Sequence, residues 1–312
     1  MKNYGFPYKG SKNRLAEKIV KLFPAAENFY DLFCGGCAIT HRALIENRWK
    51  NYVINDIDSR CPKLFLDAIN GKFKNETRWI SREDFYNLKD IDCYVAFCWS
   101  FGNKGSNYFY SKEIEPYKKA LHYAIVFGDY SLGKELGVDL SVVDGIKGVT
   151  NRRLFLQQYL KNNNIWCNTP IESNIRVSEI SQNLNNLNRL RSLESLERLQ
   201  SLERLQSLQQ FSTDYAEIEI KKDSIIYCDI PYKGTDGYNG IDFDYERFYS
   251  WCKKQTELCF ISSYEMPEDF IPIAEFPHRS ILCATKKNPV IEKVFIPQHQ
   301  LELYKSHLSA CI

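Results

Sequence analysis

A chain of 312 residues is long enough to bury one large core or two modest ones. Hydrophobic residues make up 44% and charged residues 26%, which excludes an intrinsically disordered chain. A net charge of +2 excludes strong overall attraction to polyanions, so any nucleic-acid contact must come from local patches.

The first informative segment is Phe6-Pro7-Tyr8-Lys9-Gly10-Ser11-Lys12, before an amphipathic helical pattern through Leu15, Ile19 and Leu22. A lysine at a helix start opposes the helix dipole, so Lys12 is easier to explain if it meets a carboxylate or phosphate. Taken singly, a solvated lysine is the commoner case. The run Phe29-Tyr30-Asp31-Leu32 then reads as a strand. It turns at Gly35-Gly36 into a helix with Ile39, Ala43 and Leu44 on one face. Glycines there let backbone approach a ligand closely. Neither G-x-G-x-x-G nor G-x-x-x-x-G-K-[ST] is present, which weakens a nucleotide-phosphate reading.

A second strand, Tyr52-Val53-Ile54, ends at Asn55-Asp56. This acid follows the glycine turn by about 20 residues, the spacing at which an acid meets ribose hydroxyls in doubly wound folds. Asp56 also reads as a cap on the next helix, and the two roles can coexist. Cys34 and Cys37 form a C-x-x-C, but with no partner pair and only His41 close, no metal or redox site is expected. The 11 cysteines, the missing signal peptide and the missing apolar span predict a cytoplasmic protein with reduced thiols.

Cys93 to Phe101 reads as a core strand or buried helix, and runs into a loop from Gly102 to Ser111. That loop mixes amide, basic and aromatic side chains, which suit base edges and phosphates. Lys112, Lys118, Lys119, Lys147, Arg152, Arg153 and Lys161 add positive charge, although each alone reads as a solvated side chain.

Leucine then recurs every third residue from Leu184 to Leu208, and Leu-Glu-Arg-Leu-Gln-Ser repeats outright at 196–201 and 202–207. Helix formers dominate and Gly and Pro are absent, so helix is the first expectation. A period of 3.0 drifts by about 60° per step around an α-helix. A 3₁₀ helix would align the leucines, but such runs are rarely long. An extended solenoid is the remaining option. The expectation is a solvent-reaching helix or helix pair acting as a spacer, with self-association as the sharper alternative.

Ser224-Ile225-Ile226-Tyr227 reads as a buried strand, stopped by proline in Asp229-Ile230-Pro231-Tyr232. An acid, exposed carbonyls and a flat ring would share the strand's carboxyl end, where ligands bind in open α/β sheets. A planar, amine-bearing substrate such as a nucleobase suits that set. The plainer reading is a tyrosine-containing turn after a core strand.

In this order the segments resemble the D12-class DNA adenine-N6 methyltransferases, relatives of the DNA adenine methylases. Tyr8 to Lys12 matches the family's opening aromatic-x-G-[GS]-K. Asp31, Phe33 and Gly35 match D-x-F-x-G-x-G, and Asn55-Asp56 match N-D. Asp214-Tyr215 match D-[FY], Asp229 to Tyr232 match [DNS]-[PI]-P-[YF], and Ser262-Ser263-Tyr264 match S-x-Y. The matches lie within residues 4–64 and 210–300. Two positions depart from the pattern: Cys37 stands where the third glycine is usual, and Ile230 where Pro is usual.

The resemblance implies an α/β fold: a Rossmann-like, S-adenosylmethionine-dependent methyltransferase sheet from residues 1–64 and 181–312. It also implies an inserted, mainly helical target-recognition domain over 65–180, separate from the leucine tract 184–208. It implies site-specific methyl transfer from S-adenosylmethionine to N6 of a flipped adenine in double-stranded DNA, with no metal and no membrane, and leaves room for a restriction partner. Asp229 and the Ile230 carbonyl would accept from the target amine, with Pro231 fixing the turn and Tyr232 stacking on the base. Tyr8 and Lys12 would lie near the cofactor's methionine, Asp31 near its amino group, Phe33 and Gly35 beneath it, Asp56 at the ribose, and Asp214 with Tyr215 at the adenine. Asn103, Lys104, Asn107, Tyr108, Arg152 and Arg153 would contact DNA. The rivals are an RNA adenine or protein methyltransferase, and a DNA-binding relative that has lost catalysis.

Overall fold

Seven strands of the computed structural model form one sheet in the order β3-β2-β1-β4-β5-β7-β6. The structure describes residues 4–163, 165, 185–233, 243–278 and 290–309. The strands are β1 (Asn28–Asp31), β2 (Asn51–Asn55), β3 (Leu208–Phe211), β4 (Ser224–Asp229), β5 (Leu258–Ser263), β6 (Phe270–His278) and β7 (Val290–Pro297). The pairs β1–β2, β1–β4, β2–β3 and β4–β5 are parallel, and β7 runs antiparallel to both β5 and β6. This is a mixed α/β architecture. The chain's order reverses between β1 and β4, and such a switch point opens a crevice at the strands' carboxyl ends.

A parallel sheet is covered on both faces, so its strands carry near-continuous apolar runs. Phe29, Tyr52, Tyr227 and Phe260 are buried and share rings with Phe23 and Trp49, the Phe23–Phe260 centroids lying 4.7 Å apart. The alternate residues Tyr30, Val53, Ile226, Cys228, Cys259 and Ile261 pack with Tyr215, Phe248 and Cys252.

The chain divides into two compact units. The first holds 1–6, 10–71 and 195–312 and contains the whole sheet. Its helices α1 (Ala16–Val20), α2 (Ala38–Glu46) and α3 (Arg60–Ile69) lie in the first part of the sequence. The second holds 7–9 and 72–194, and its described regular elements are helices and short 3₁₀ turns joined by one isolated bridge, Ser100 to Tyr108. The division after Gly71 keeps α3 whole within the sheet unit. The expected boundary at 180/181 and Leu184 fall outside the described residues.

The leucine tract departs from expectation. Asn185–Glu194 is α-helix, but Ser195–Ser201 and Glu203–Ser207 are 3₁₀ helix, and Leu208 begins β3. Three residues per turn matches the leucine period, so the apolar side chains stay on one side instead of spiralling. Leu187, Leu190, Leu193, Leu196 and Leu199 are buried, which removes the solvent-reaching helix. Within the sheet unit the first 3₁₀ segment packs on α3 and the second on β2, and Ser207 Oγ donates to Lys50 O at 2.6 Å.

Candidate active site

At the switch point, Leu32 N donates to Tyr227 O and Cys34 N to Asn55 O, which binds the end of β1 to both neighbours. Asn55 is buried and acts as a clamp: its amide donates to Leu32 O and Thr213 O, and its Oδ1 accepts from Thr213 N. The glycine turn follows. Gly35 has φ +45°, and its N–H donates to Asp56 Oδ2 at 2.8 Å. Cys37 holds φ +53°, the left-handed region that a glycine occupies freely and an L side chain occupies at a cost of roughly 1–2 kcal/mol. The turn therefore keeps its shape despite the missing third glycine. Gly5, which the sequence reading passed over, lets Phe6 N reach Gly36 O, and a Cβ at Gly5 would lie 2.0 Å from that carbonyl.

Asp31 ends β1 and is buried. Thr40 Oγ1 donates to its Oδ2 at 2.6 Å, while Oδ1 has no hydrogen-bond partner among the described residues. Burial, only partly offset by Thr40 and reinforced by Asp229 and Asp56, pushes its pKa up to about 7. A buried carboxylate oxygen without a donor is costly, and a cationic ligand would supply one. Asp56 accepts from the Gly35 and Asp58 amides and does not cap α3, whose N-cap is Ser59, and burial raises its pKa to about 6. Phe33 packs on Tyr215 at 5.3 Å, within an aromatic cluster with Phe243 and Phe248. The Tyr215 hydroxyl is buried without a partner among the described residues. Asp214 caps the short turn at Ala216 N and pairs through both oxygens with Arg247, an ion pair the sequence did not reveal.

Asp229 ends β4, and the carboxylate that Lys12 meets is this one, at 2.7 Å. Burial opposes the Lys12 charge, but Asp229 and Glu292 outweigh it and its pKa lies above the ordinary value. Burial lifts Asp229 to about 6 while Lys12 pulls it down. Both Lys12 and the Tyr232 hydroxyl approach the same oxygen, Oδ1, and among the described residues none takes Oδ2. The Lys12 ammonium also lies 4.9 Å from the Tyr232 ring centroid, and Tyr264 meets that ring edge-on at 4.4 Å. The Ile230 side chain is buried in the core, so its backbone is what the site sees. The Pro231 carbonyl accepts from Tyr245. Behind them, Tyr227 and Ser262 share a 2.7 Å hydroxyl contact.

A planar amine seated against Asp229 Oδ2, beside an electropositive group held by Asp31, is the arrangement this edge can serve. Residues 8–255 match the MethyltransfD12 family, D12 class N6 adenine-specific DNA methyltransferase. The chain belongs to that family. No individual curated protein matches it. As a D12-class methyltransferase it is an adenine-N6 DNA-modifying enzyme, and the family implies S-adenosylmethionine as methyl donor. The carboxylates of Asp31 and Asp56 and the close backbone at Gly35 fit a ligand that carries an ammonium, a ribose and a sulfonium.

The remaining residues singled out in the sequence of this D12-class chain lie in the second unit. Tyr8 packs on Phe97, with centroids 5.5 Å apart. Asn103 turns inward to Phe97 O, the buried Tyr108 donates to Ile80 O, and Arg152 donates to Ile146 O and Ile125 O. These three hold the unit together. Lys104 and Asn107 are exposed, at a loop pinned by Phe101 N to Asn107 O and Phe109 N to Trp99 O. Arg153 pairs with Asn188. Sequence reasoning also missed the buried Glu292 on β7, where Glu292-Lys293 interrupts an apolar run.

Proposed function

We propose that this chain methylates N6 of an adenine flipped out of double-stranded DNA, at a specific sequence. The supporting observation is the occupancy of Asp229: Lys12 and Tyr232 share Oδ1, and Oδ2 stays available for a target N6–H. Together with the Ile230 carbonyl this would hold both amine protons and aim the nitrogen lone pair away from the ring. Tyr232, fixed at its hydroxyl, offers one ring face to the base, a contact worth about 1–3 kcal/mol. Asp31 Oδ1 accepts the cofactor's ammonium, Asp56 its ribose hydroxyls, and Phe33 with Tyr215 its adenine. The bound cofactor supplies an electrophilic methyl, so positioning carries much of the rate. Extruding the base from the stack costs a few kcal/mol, which these contacts offset.

The second unit reads the target in this proposal, with Asn107 at its exposed loop for base edges and with Lys104 and Arg153 for phosphates. The buried free cysteines suit a reducing, cytoplasmic setting, and site-specific methylation suits pairing with a restriction enzyme. Incubation with labelled S-adenosylmethionine and duplex DNA, followed by nucleoside analysis, should yield N6-methyladenine in DNA. Label appearing only in RNA or protein would overturn the reading. Lys104→Ala should reduce the slope of log affinity against log salt by about one, with the methylated sequence unchanged.

A further inference from the structure

Strand β7 exposes Ile291 at its start and buries Val294, Phe295 and Ile296 in succession. Val294 and Ile296 are fully buried, and Glu292, two residues before Val294 on the same strand face, is only 3% exposed. An apolar residue would serve a core at that position, and an ionised carboxylate there is expensive unless it is partnered. Its partners are those of the candidate site. Tyr232 donates its hydroxyl to Glu292 Oε1, and the Lys12 ammonium lies 3.6 Å from the same oxygen. Residue 292 lies outside the matched range 8–255.

We infer that Glu292 is a positioning residue for the methyl-transfer site, which fixes the Tyr232 ring and gives the Lys12–Asp229 pair a net negative charge. The inference rests on the function proposed above. Lys12 contributes one positive charge against the two negative charges of Asp229 and Glu292. Methyl transfer breaks the C–S bond, forms the N6–C bond and moves the positive charge from sulfur to N6, which then releases one N6 proton. A pocket with one surplus negative charge favours that arriving charge, in a setting where water screens little. The hydroxyl bond to Glu292 also sets the plane of the ring on which the base rests. Groups that act electrostatically on Asp229 or sit beside it are Lys12, Glu292, Tyr232, Tyr227, Asp31 and Asp56, with Tyr264 facing Lys12 and Tyr232. Among them Glu292 is the carboxylate that shares the lysine.

Glu292→Gln keeps the shape and an acceptor while removing the charge. Its kcat should fall about 100-fold, the loss typical of a small misplacement, while the cofactor Kd stays within about threefold. Glu292 raises the pKa of Asp229, so the acid limb of the kcat–pH profile should move to lower pH in the variant. The Asp229 carboxyl ¹³C signal of the cofactor-free protein should titrate about one unit lower, a typical displacement between protein sites. Glu292→Asp, which restores charge without reach, should restore the limb more than the rate. Unchanged kcat overturns the inference, and so does a lower kcat with an unmoved limb and an unmoved ¹³C midpoint. A wild-type chain that methylates no DNA would overturn the proposed function instead, and the ¹³C titration would still test the coupling.

Discussion

The edge around Asp229 and the leucine tract bury opposite kinds of residue. At the edge, Lys12, Asp31 and Glu292 are turned inward, with one oxygen of Asp31 left unbonded among the described residues. In the tract Leu193, Leu196 and Leu199 are turned inward, while Arg198 and Gln200 stay exposed. Burying charge stabilises little by itself, whereas burying leucine contributes about 1.5–3 kcal/mol for each side chain. The contrast separates a region built to act from one built to hold. Local rules are broken where chemistry is done and obeyed where it is not.

The largest expected effect tests the acting region. Asp229→Asn should lower kcat by about 10³-fold, roughly 4 kcal/mol, with a melting temperature close to that of the parent. Steady-state methylation and thermal melting decide it together, and near-parental turnover would break the contrast. The holding region should answer in the reverse sense. Leu196→Ala should cost about 2–5 kcal/mol of stability in a denaturant titration, with methylation per folded molecule retained. Leu205→Ala, at a half-buried position, should cost clearly less.

A third measurement concerns pH. The folded pKa of Asp31 is about 7, above the ordinary 3.8, chiefly through burial. Between roughly pH 4 and 7 the folded chain keeps a proton that the unfolded chain has released, so stability should fall as pH rises through that window. The slope from this group is at most about 1.4 kcal/mol per pH unit, and Asp31→Asn should flatten the curve by that amount. A ligand ammonium at Asp31 would prefer the ionised acid, so cofactor affinity should increase with pH over the same range. The smallest effect belongs to the tract's outer side, where Gln200→Ala should change stability by less than about 0.5 kcal/mol.

The parts legible from sequence were those where residue type and local pattern carry the same message. Asp31, Asn55-Asp56 and Asp229 stood at strand ends because each follows an apolar run, and all three strands end there. Lys12 asked for an anion by its awkward place at a helix start, and the anion is Asp229, more than 200 residues away in sequence. That pairing depends on strand order, which no local pattern encodes. A like separation hid the pairing of Lys12 with Glu292, and 33 residues sufficed to hide the engagement of Asp214 by Arg247. Residue type alone does not show that Tyr108 is buried and donates to Ile80 O, or that Arg152 donates to Ile146 O and Ile125 O. The tract was misjudged because the 3.6-residue period was taken as the default, and tertiary burial of a three-residue repeat selected the tighter helix.

The 3₁₀ geometry bears on how such a tract is inherited. The first unit, 196–201, occupies two complete 3₁₀ turns, so a unit copied or lost in that geometry returns the leucines to the same side. An α-helical repeat of six would rotate by about 240° and expose its leucines. Replication slippage in this stretch is therefore felt as a change of length, about 12 Å per unit, and not as a change of facing. Variation in copy number among descendants of this gene would be restrained by the span between α3 and β3, while the apolar pattern of the repeat itself propagates intact.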